Sequence, residues 1–162
     1  MARFWSAGLI AVWFVAAHAA AGGLPPAKDL AADAQAARRS AMPIVLFFSA
    51  DSCPYCAEVA GLHLEPLHTR GVYAGRALFR IADVERHTPV RGFDGRRLTQ
   101  AELAGRYRVS FTPYIMFLDP DGDELVPPLI GYSSPDFYRG YLETAIETAI
   151  EKLRARRVAL GK

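Results

Sequence analysis

The chain reads as a single α/β domain with a central mixed sheet flanked by helices. Three features predict this. Short apolar runs occur at 44–48 and 114–118 and a further strand candidate, ALFRIADV, at 77–84, helix-like segments lie between them, and Asp119-Pro120-Asp121-Gly122 turns the chain after 114–118 back onto a strand at 124–130. Alternating strands and helices make an α/β sheet, and the tight return after the third strand makes it mixed.

The first residues, MARFWSAGLIAVWFVAAHAAAGG, place one cation, Arg3, before an apolar run from Phe4 to Ala17, followed by small residues around Ala17, His18 and Ala19. This is the plan of a secretory signal peptide over residues 1–21, with cleavage near Ala19 to Ala21 and a mature domain over 22–162. The run is shorter than the about 20 apolar residues of a membrane span and has no basic stop-transfer flank. The alternative is an uncleaved N-terminal anchor, which leaves the rest of the chain in the same exported, periplasmic compartment. About 140 residues then remain, enough for one core and few for two.

From Ala27 to Arg39 the alanine-rich sequence suits a short helix packed loosely on the domain, ended by Met42-Pro43. Ile44 to Phe48 is apolar throughout and reads as a strand buried on both faces. Asp51 and Ser52 offer caps for a helix that carries Cys53 at its start and Pro54 in its first turn, with Val59, Leu62 and Leu67 further along. Ala77 to Val84 is the second strand, and Glu85 to Arg97, polar and glycine-containing, reads as surface loop. Leu98 to Tyr107 is a short helix with Thr99 near its N-cap, and 114–118 and 124–130 form a hairpin. The acids at Asp119, Asp121 and Asp123 imitate a calcium loop, but the glycine is misplaced and the twelfth position is Ile130, so the segment reads as a turn. The last segment opens with Ser134 as N-cap and Pro135 as first helical residue. It then runs Phe137, Tyr141, Ala145, Ala149 and Leu153 at steps of four beside Leu142, Ile146 and Ile150, a long amphipathic helix laid on the sheet.

The balance of 19 Lys and Arg against 17 Asp and Glu is close to neutral, and no aromatic residues interleave with a basic run. Nucleic acid is therefore not an expected partner. The basic cluster Lys152, Arg154, Arg156 and Arg157 reads as a solvated helix end. No flavin, nucleotide or phosphate fingerprint is present; Gly92 and Gly95 read as turn residues, no cofactor is called for, and a monomer is expected.

The stretch SADSCPYCAEVA, residues 49 to 60, holds both cysteines. As a staple they would close a loop of two residues, which stabilises little. A zinc site needs about four ligands, and only His63, His68 and His87 could join the two thiols in the mature chain. His63 and His68 read instead as ordinary helix-surface or partly buried residues. Copper(I) suits a soft thiol pair, but Met42 is the one methionine close by. Redox chemistry uses more of the pattern. At a helix N-terminus the Cys53 thiolate is stabilised by free amides and the helix dipole, and Cys56 lies one turn inward, placed to resolve a mixed disulfide. Pro54 fixes the first turn without wasting an amide donor, and Tyr55 presents an aromatic flank.

These residues resemble the thioredoxin superfamily. The strand IVLFF before CPYC, the FTP of Phe111-Thr112-Pro113 leading into YIMFL, the DPDGDEL hairpin and Gly131 before a terminal helix fall in that family's order, over Asp29 to Leu153. The segment from Phe79 to Phe117, with an extra loop before AELAGRY, looks most like the exported thioredoxin-related proteins of the SoxW type. The resemblance implies a thioredoxin-like fold and a thiol:disulfide oxidoreductase. Cys53 and Cys56 would be its catalytic pair, Tyr55, Thr112 and Pro113 its substrate-binding residues, and Ser52 and Pro54 supports of the helix N-terminus. Thr112-Pro113 would be the family's cis-proline step, whose preceding residue pairs with a bound substrate chain. Three departures stand out: Phe47 replaces the buried acid six residues before the first cysteine, Ser52 replaces the usual tryptophan, and Pro-Tyr is the glutaredoxin dipeptide. Glu58, Asp83 and Glu85 are candidates for the missing acid, though each reads more simply as a surface carboxylate.

The expected function is periplasmic reduction of protein disulfides, with protein thiols and disulfides as partners and a membrane thiol carrier as electron source. The alternatives are an oxidant of the same fold and a Cu(I)-binding or redox-sensing module without turnover. Intact mass of the exported protein is expected to show loss of the leader near Ala19 to Ala21. A chain that retains Met1 to Ala17 would mark an anchor.

Overall fold

A computed structural model describes residues 23–133, 135–159 and 161. In chain order the elements are α1 (Leu30–Ser40), β1 (Ile44–Ser49), α2 (Pro54–Glu58), a π-helical turn (Val59–Leu64), α3 (Glu65–Thr69), β2 (Leu78–Asp83), β3 (Pro89–Arg91), β4 (Arg97–Thr99), α4 (Gln100–Arg106), β5 (Tyr114–Leu118), β6 (Glu124–Ile130) and α5 (Pro135–Ala159). The leader at 1–21 and the cap expected at Ser134 lie outside the described residues.

The main sheet has the order β2-β1-β5-β6. β1 pairs parallel with β2, from Ile44 opposite Leu78 to Ser49 opposite Asp83, and antiparallel with β5, from Ile44 opposite Leu118 to Phe48 opposite Tyr114. Successive side chains of a strand leave on opposite faces, so this central strand feeds two cores. Val45 and Phe47 join Phe79, Ile115 and Phe117 beneath the α2–α3 run and α5. Ile44, Leu46 and Phe48 join Leu30, Ala37, Leu103 and Leu118 beneath α1 and α4. Phe47, Phe48, Phe79 and Phe117 are wholly buried, and each such side chain contributes about 1.5–3 kcal/mol relative to exposure. The sheet is thus mixed and covered on both faces by helices.

Pro25 and Pro26 close the outer edge of β2. The Ala27 amide donates to the Ile81 carbonyl at 2.8 Å and the Ile81 amide to the Pro25 carbonyl at 3.0 Å. Prolines offer no further amides, which blunts this edge against pairing with another chain.

Four local expectations need correction. α1 is not loosely packed: Leu30, Ala34 and Ala37 are buried, and Asp33 pairs both carboxylate oxygens with Arg80 of β2. The cysteine helix is not one regular helix, because a π-helical turn interrupts it at Val59–Leu64. Residues 85–97 are not all loop and α4 begins at Gln100 rather than Leu98, since β3 and β4 pair as a small hairpin joining Val90 to Leu98. Each strand buries a single apolar side chain between exposed or half-exposed neighbours, too brief a pattern for periodicity to register. On α5 the buried stripe is Tyr138, Leu142, Ile146, Ala149 and Ile150, whereas Phe137 and Tyr141 face outward. Both stripes are apolar, and only contact with β5 and β6 decides between them.

Two side-chain devices set the helix and hairpin ends. Thr99 caps α4, accepting from the Glu102 amide while the Glu102 carboxylate accepts from the Thr99 amide, a complete capping box. Asp119 accepts from the amides of Asp121 and Asp123 and from Arg156 of α5, so the acidic stretch is a turn clamp tied to the last helix. Gly122 lies in this turn at φ +89°, where a Cβ would come within 2.9 Å of the Phe93 ring. Only glycine tolerates both the dihedral and the approach.

The Asp33–Arg80 pair is mostly buried and bridges α1 to β2. Asp33→Ala is expected to destabilise the protein by about 1.5–3 kcal/mol, because it strands a charged guanidinium. Chemical denaturation of the two proteins checks this.

Candidate active site

β1 ends at Ser49, and the chain turns at once, the Cys53 amide donating to the Ala50 carbonyl at 3.1 Å. Cys53 then stands as the N-cap of α2, with extended backbone at φ −100° and ψ 102°, and its Sγ accepts from the Cys56 amide at 3.2 Å. Pro54 follows at the first helical position, where its missing N–H costs nothing. Cys53 and Cys56 are joined as a disulfide with Cα atoms 5.3 Å apart. Cys56 is buried among Val59, Phe47 and Ile115, while Cys53 is only partly covered. Cys53 is therefore the more exposed member of the pair.

Ser52 and Asp51 do not cap this helix. The Ser52 hydroxyl donates to Glu85 at 3.1 Å, and Asp51 accepts from Arg86 at 2.7 Å. The approach to the cysteines is thereby tied to the turn that follows β2. Asp83 anchors that turn: its carboxylate accepts from the Glu85 amide and from Arg86, and its own amide donates to the Gln100 side chain at 2.6 Å. Asp83 is buried and fully engaged, contrary to the surface carboxylate expected. Glu58 is exposed, and Phe47 fills the place of an acid with apolar surface against the core.

β5 begins at Tyr114 opposite Phe48, so Thr112 and Pro113 lie at the same end of the sheet as the loop that carries the cysteines. The Thr112–Pro113 peptide is cis. Pro113 is buried, and its carbonyl accepts from the Gly131 amide at 2.8 Å, which fixes the β6–α5 connection to this loop. Tyr55 is 55% exposed and Phe111, just before the cis step, 70% exposed.

Sequence reasoning missed an aromatic cluster beside the pair. Tyr132, one residue beyond Gly131, places its ring 6.1 Å from that of Tyr55 and 4.9 Å from that of Tyr138. Its hydroxyl lies 3.0 Å from Nε2 of His63. His63 is buried at 8% exposure, so of the helix-surface and partly buried alternatives the structure takes the buried side. Burial, and then the Arg139 charge, hold its pKa below the ordinary 6.5. Burial pushes the Tyr138 hydroxyl up to about 12, with Tyr132 adding to the shift, and among the described residues that hydroxyl has no partner. The only signal in the sequence was the spacing of Tyr55, Val59 and His63 at steps of four. His68 instead packs on Phe79, with ring centroids 5.7 Å apart. His87 is exposed, and among the described residues no group of three His, Cys, Asp or Glu side chains is placed to hold a metal ion.

Residues 30–146 match the family model described as a thioredoxin-like domain. Solved structures of similar fold include the DsbH oxidoreductase, 20% identical, with 88% of this chain and 95% of that one covered and a TM-score of 0.53. Thioredoxin O2 from Arabidopsis thaliana in its oxidized state is 16% identical over 77% of this chain and 96% of that one, with a TM-score of 0.52. A thioredoxin-fold protein from Helicobacter pylori is 19% identical over 70% and 81%, with a TM-score of 0.50. At these identities the likeness is one of fold. No curated protein sequence matches the chain.

His63 and His68 are both held below 6.5, chiefly by burial. Between 6.5 and the lowered folded values the unfolded chain binds protons that the folded chain refuses, so their contribution to stability is full above 6.5 and is lost as pH falls. The melting temperature is expected to drop from pH 7 to pH 5, and His63→Gln to flatten that slope, which for one proton cannot exceed about 1.4 kcal/mol per pH unit.

Proposed function

This chain belongs to the family of thioredoxin-like domains, and from that premise and the Cys53–Cys56 disulfide we infer that it is a thiol:disulfide oxidoreductase. The observation that carries the reading is the asymmetry of the pair: one sulfur half-open at a helix cap, the other buried one turn inward, both at the sheet end that holds the cis Thr112–Pro113 step.

In the reducing direction the Cys53 thiolate attacks one sulfur of a substrate disulfide. A mixed disulfide forms and the first substrate thiolate leaves, taking a proton from solvent. Cys56, deprotonated, then attacks Sγ of Cys53. The Cys53–Cys56 bond closes, the second substrate thiolate departs, and two electrons have passed from the dithiol to the substrate. The Cys56 amide that contacts Sγ of Cys53 is placed to stabilise negative charge there. Tyr55, Thr112 and Pro113 receive the substrate chain at the mouth, and Phe111 extends their apolar surface. With Phe47 apolar, protons exchange from the solvent side.

The finer reading is an exported reductase of the SoxW type, acting on protein disulfides in the periplasm and recharged by a membrane thiol carrier. Its support is the apolar N-terminal run with small residues at its end, and the resemblance in 79–117. Such a compartment permits disulfides as substrates.

Cys53→Ser is expected to abolish turnover and Cys56→Ser to accumulate mixed disulfides with substrate, read by non-reducing gels and mass; adducts on the Cys53→Ser protein alone would reverse the two roles. The equilibrium potential of the pair decides direction. A value near or below thioredoxin's, about −270 mV, supports a reductant, and one near DsbA's, about −120 mV, an oxidant. A pair that does not exchange at all ends the enzyme reading in favour of metal binding.

A further inference from the structure

The aromatic cluster beside the disulfide contains a buried polar group that the chemistry above does not use. His63 lies among the rings of Tyr132 and Tyr138, with centroids 5.6 and 5.2 Å away. A leucine or phenylalanine would suit that setting without desolvating an imidazole, so the histidine is accounted for by the hydrogen bond it makes. That bond is to the Tyr132 hydroxyl, at 3.0 Å.

Tyr132 is held from two sides. Through its backbone neighbour Gly131 it is tied to the Pro113 carbonyl, at 2.8 Å, and through its hydroxyl to the helical run that carries the cysteines. Its ring rests against Tyr55, which stands between Cys53 and Cys56 in sequence and is half exposed. Tyr55, Val59 and His63 follow one another at steps of four along that run, so the wall rises from the mouth at Tyr55 to its buried support at His63.

We propose that His63 is a positioning residue for protein substrates: by holding the Tyr132 hydroxyl it fixes the Tyr132–Tyr55 aromatic wall that bounds the mouth of the disulfide on the side of the β6–α5 connection. This rests on the oxidoreductase reading and adds to it a determinant of which disulfides are accepted. A large polypeptide must lie against the wall, and rigid aromatic faces bind at small entropic cost. A small disulfide reaches the Cys53 sulfur without that surface.

The test compares, in the full protein, kcat/KM for insulin with dithiothreitol as reductant against the second-order rate constant at which pre-reduced protein, freed of dithiothreitol, reacts with 5,5′-dithiobis(2-nitrobenzoate). His63→Leu and Tyr132→Phe are each expected to lower the insulin-to-small-disulfide ratio about threefold to tenfold, through KM for insulin, the size of one net hydrogen bond. His63→Gln, which keeps a polar atom at similar reach, is expected to recover most of the loss. The double variant is expected to be no worse than the worse single one, because both remove the same bond. Should His63→Leu not fold, Tyr132→Phe, which keeps its ring, carries the comparison. A ratio unchanged in Tyr132→Phe, or losses that multiply in the double variant, overturns the proposal. So does a wild-type protein that reduces the small disulfide and not insulin. A wild-type protein that reduces neither removes the oxidoreductase reading itself.

Discussion

Everything in this structure hangs on β1. Five consecutive apolar residues, Ile44 to Phe48, form a strand with a neighbour on each side and a core on each face. A strand in that position must be apolar throughout, since every side chain is buried and every backbone amide is committed to a ladder. Its two pairings also determine what lies at its end. The parallel partner requires a long crossover, which the cysteine helix supplies, and the antiparallel partner β5 begins opposite the end of β1, which brings Pro113 to the cysteine loop. The site is a by-product of the sheet's register.

Around that end the electrostatics are divided. On the β2 side Asp51, Ser52, Asp83, Glu85 and Arg86 form a polar network that holds the approach to Cys53. On the α5 side the pair is flanked by aromatic rings, with the His63 imidazole and the Tyr132 and Tyr138 hydroxyls as the polar groups among them. Beneath Cys56 the surroundings are apolar, Phe47 included. Charge is thus kept at the rim and away from the buried Cys56, and Cys53 is the more exposed member of the pair.

How much was legible in advance depended on the range of the interaction. CPYC, with Pro54 at the first helical position, announces its own local geometry, and so do Thr99 as an N-cap and the Asp119 turn, because each closes within a few residues. The β3–β4 hairpin was missed because it rests on one buried pair, Val90 and Leu98. On α5 the expected Leu142, Ile146, Ala149 and Ile150 are buried, but Tyr138 takes the place expected for Phe137 and Tyr141, because the helix is apolar on both sides at its start and only the neighbouring sheet selects between them.

By itself, then, the sequence determined the fold class, the four strands of the main sheet and the close cysteine pair, all of which follow from residue type and short spacing. Tertiary structure alone decided that Asp83 is a buried turn anchor and not a surface acid, that Ser52 turns to Glu85 and not to the helix, and that His63 meets Tyr132. The Ser52–Glu85 and His63–Tyr132 partners are 33 and 69 residues apart. Such contacts leave no periodic trace in the chain, because their geometry comes from how the crossover helix and the β6–α5 connection pack against the sheet.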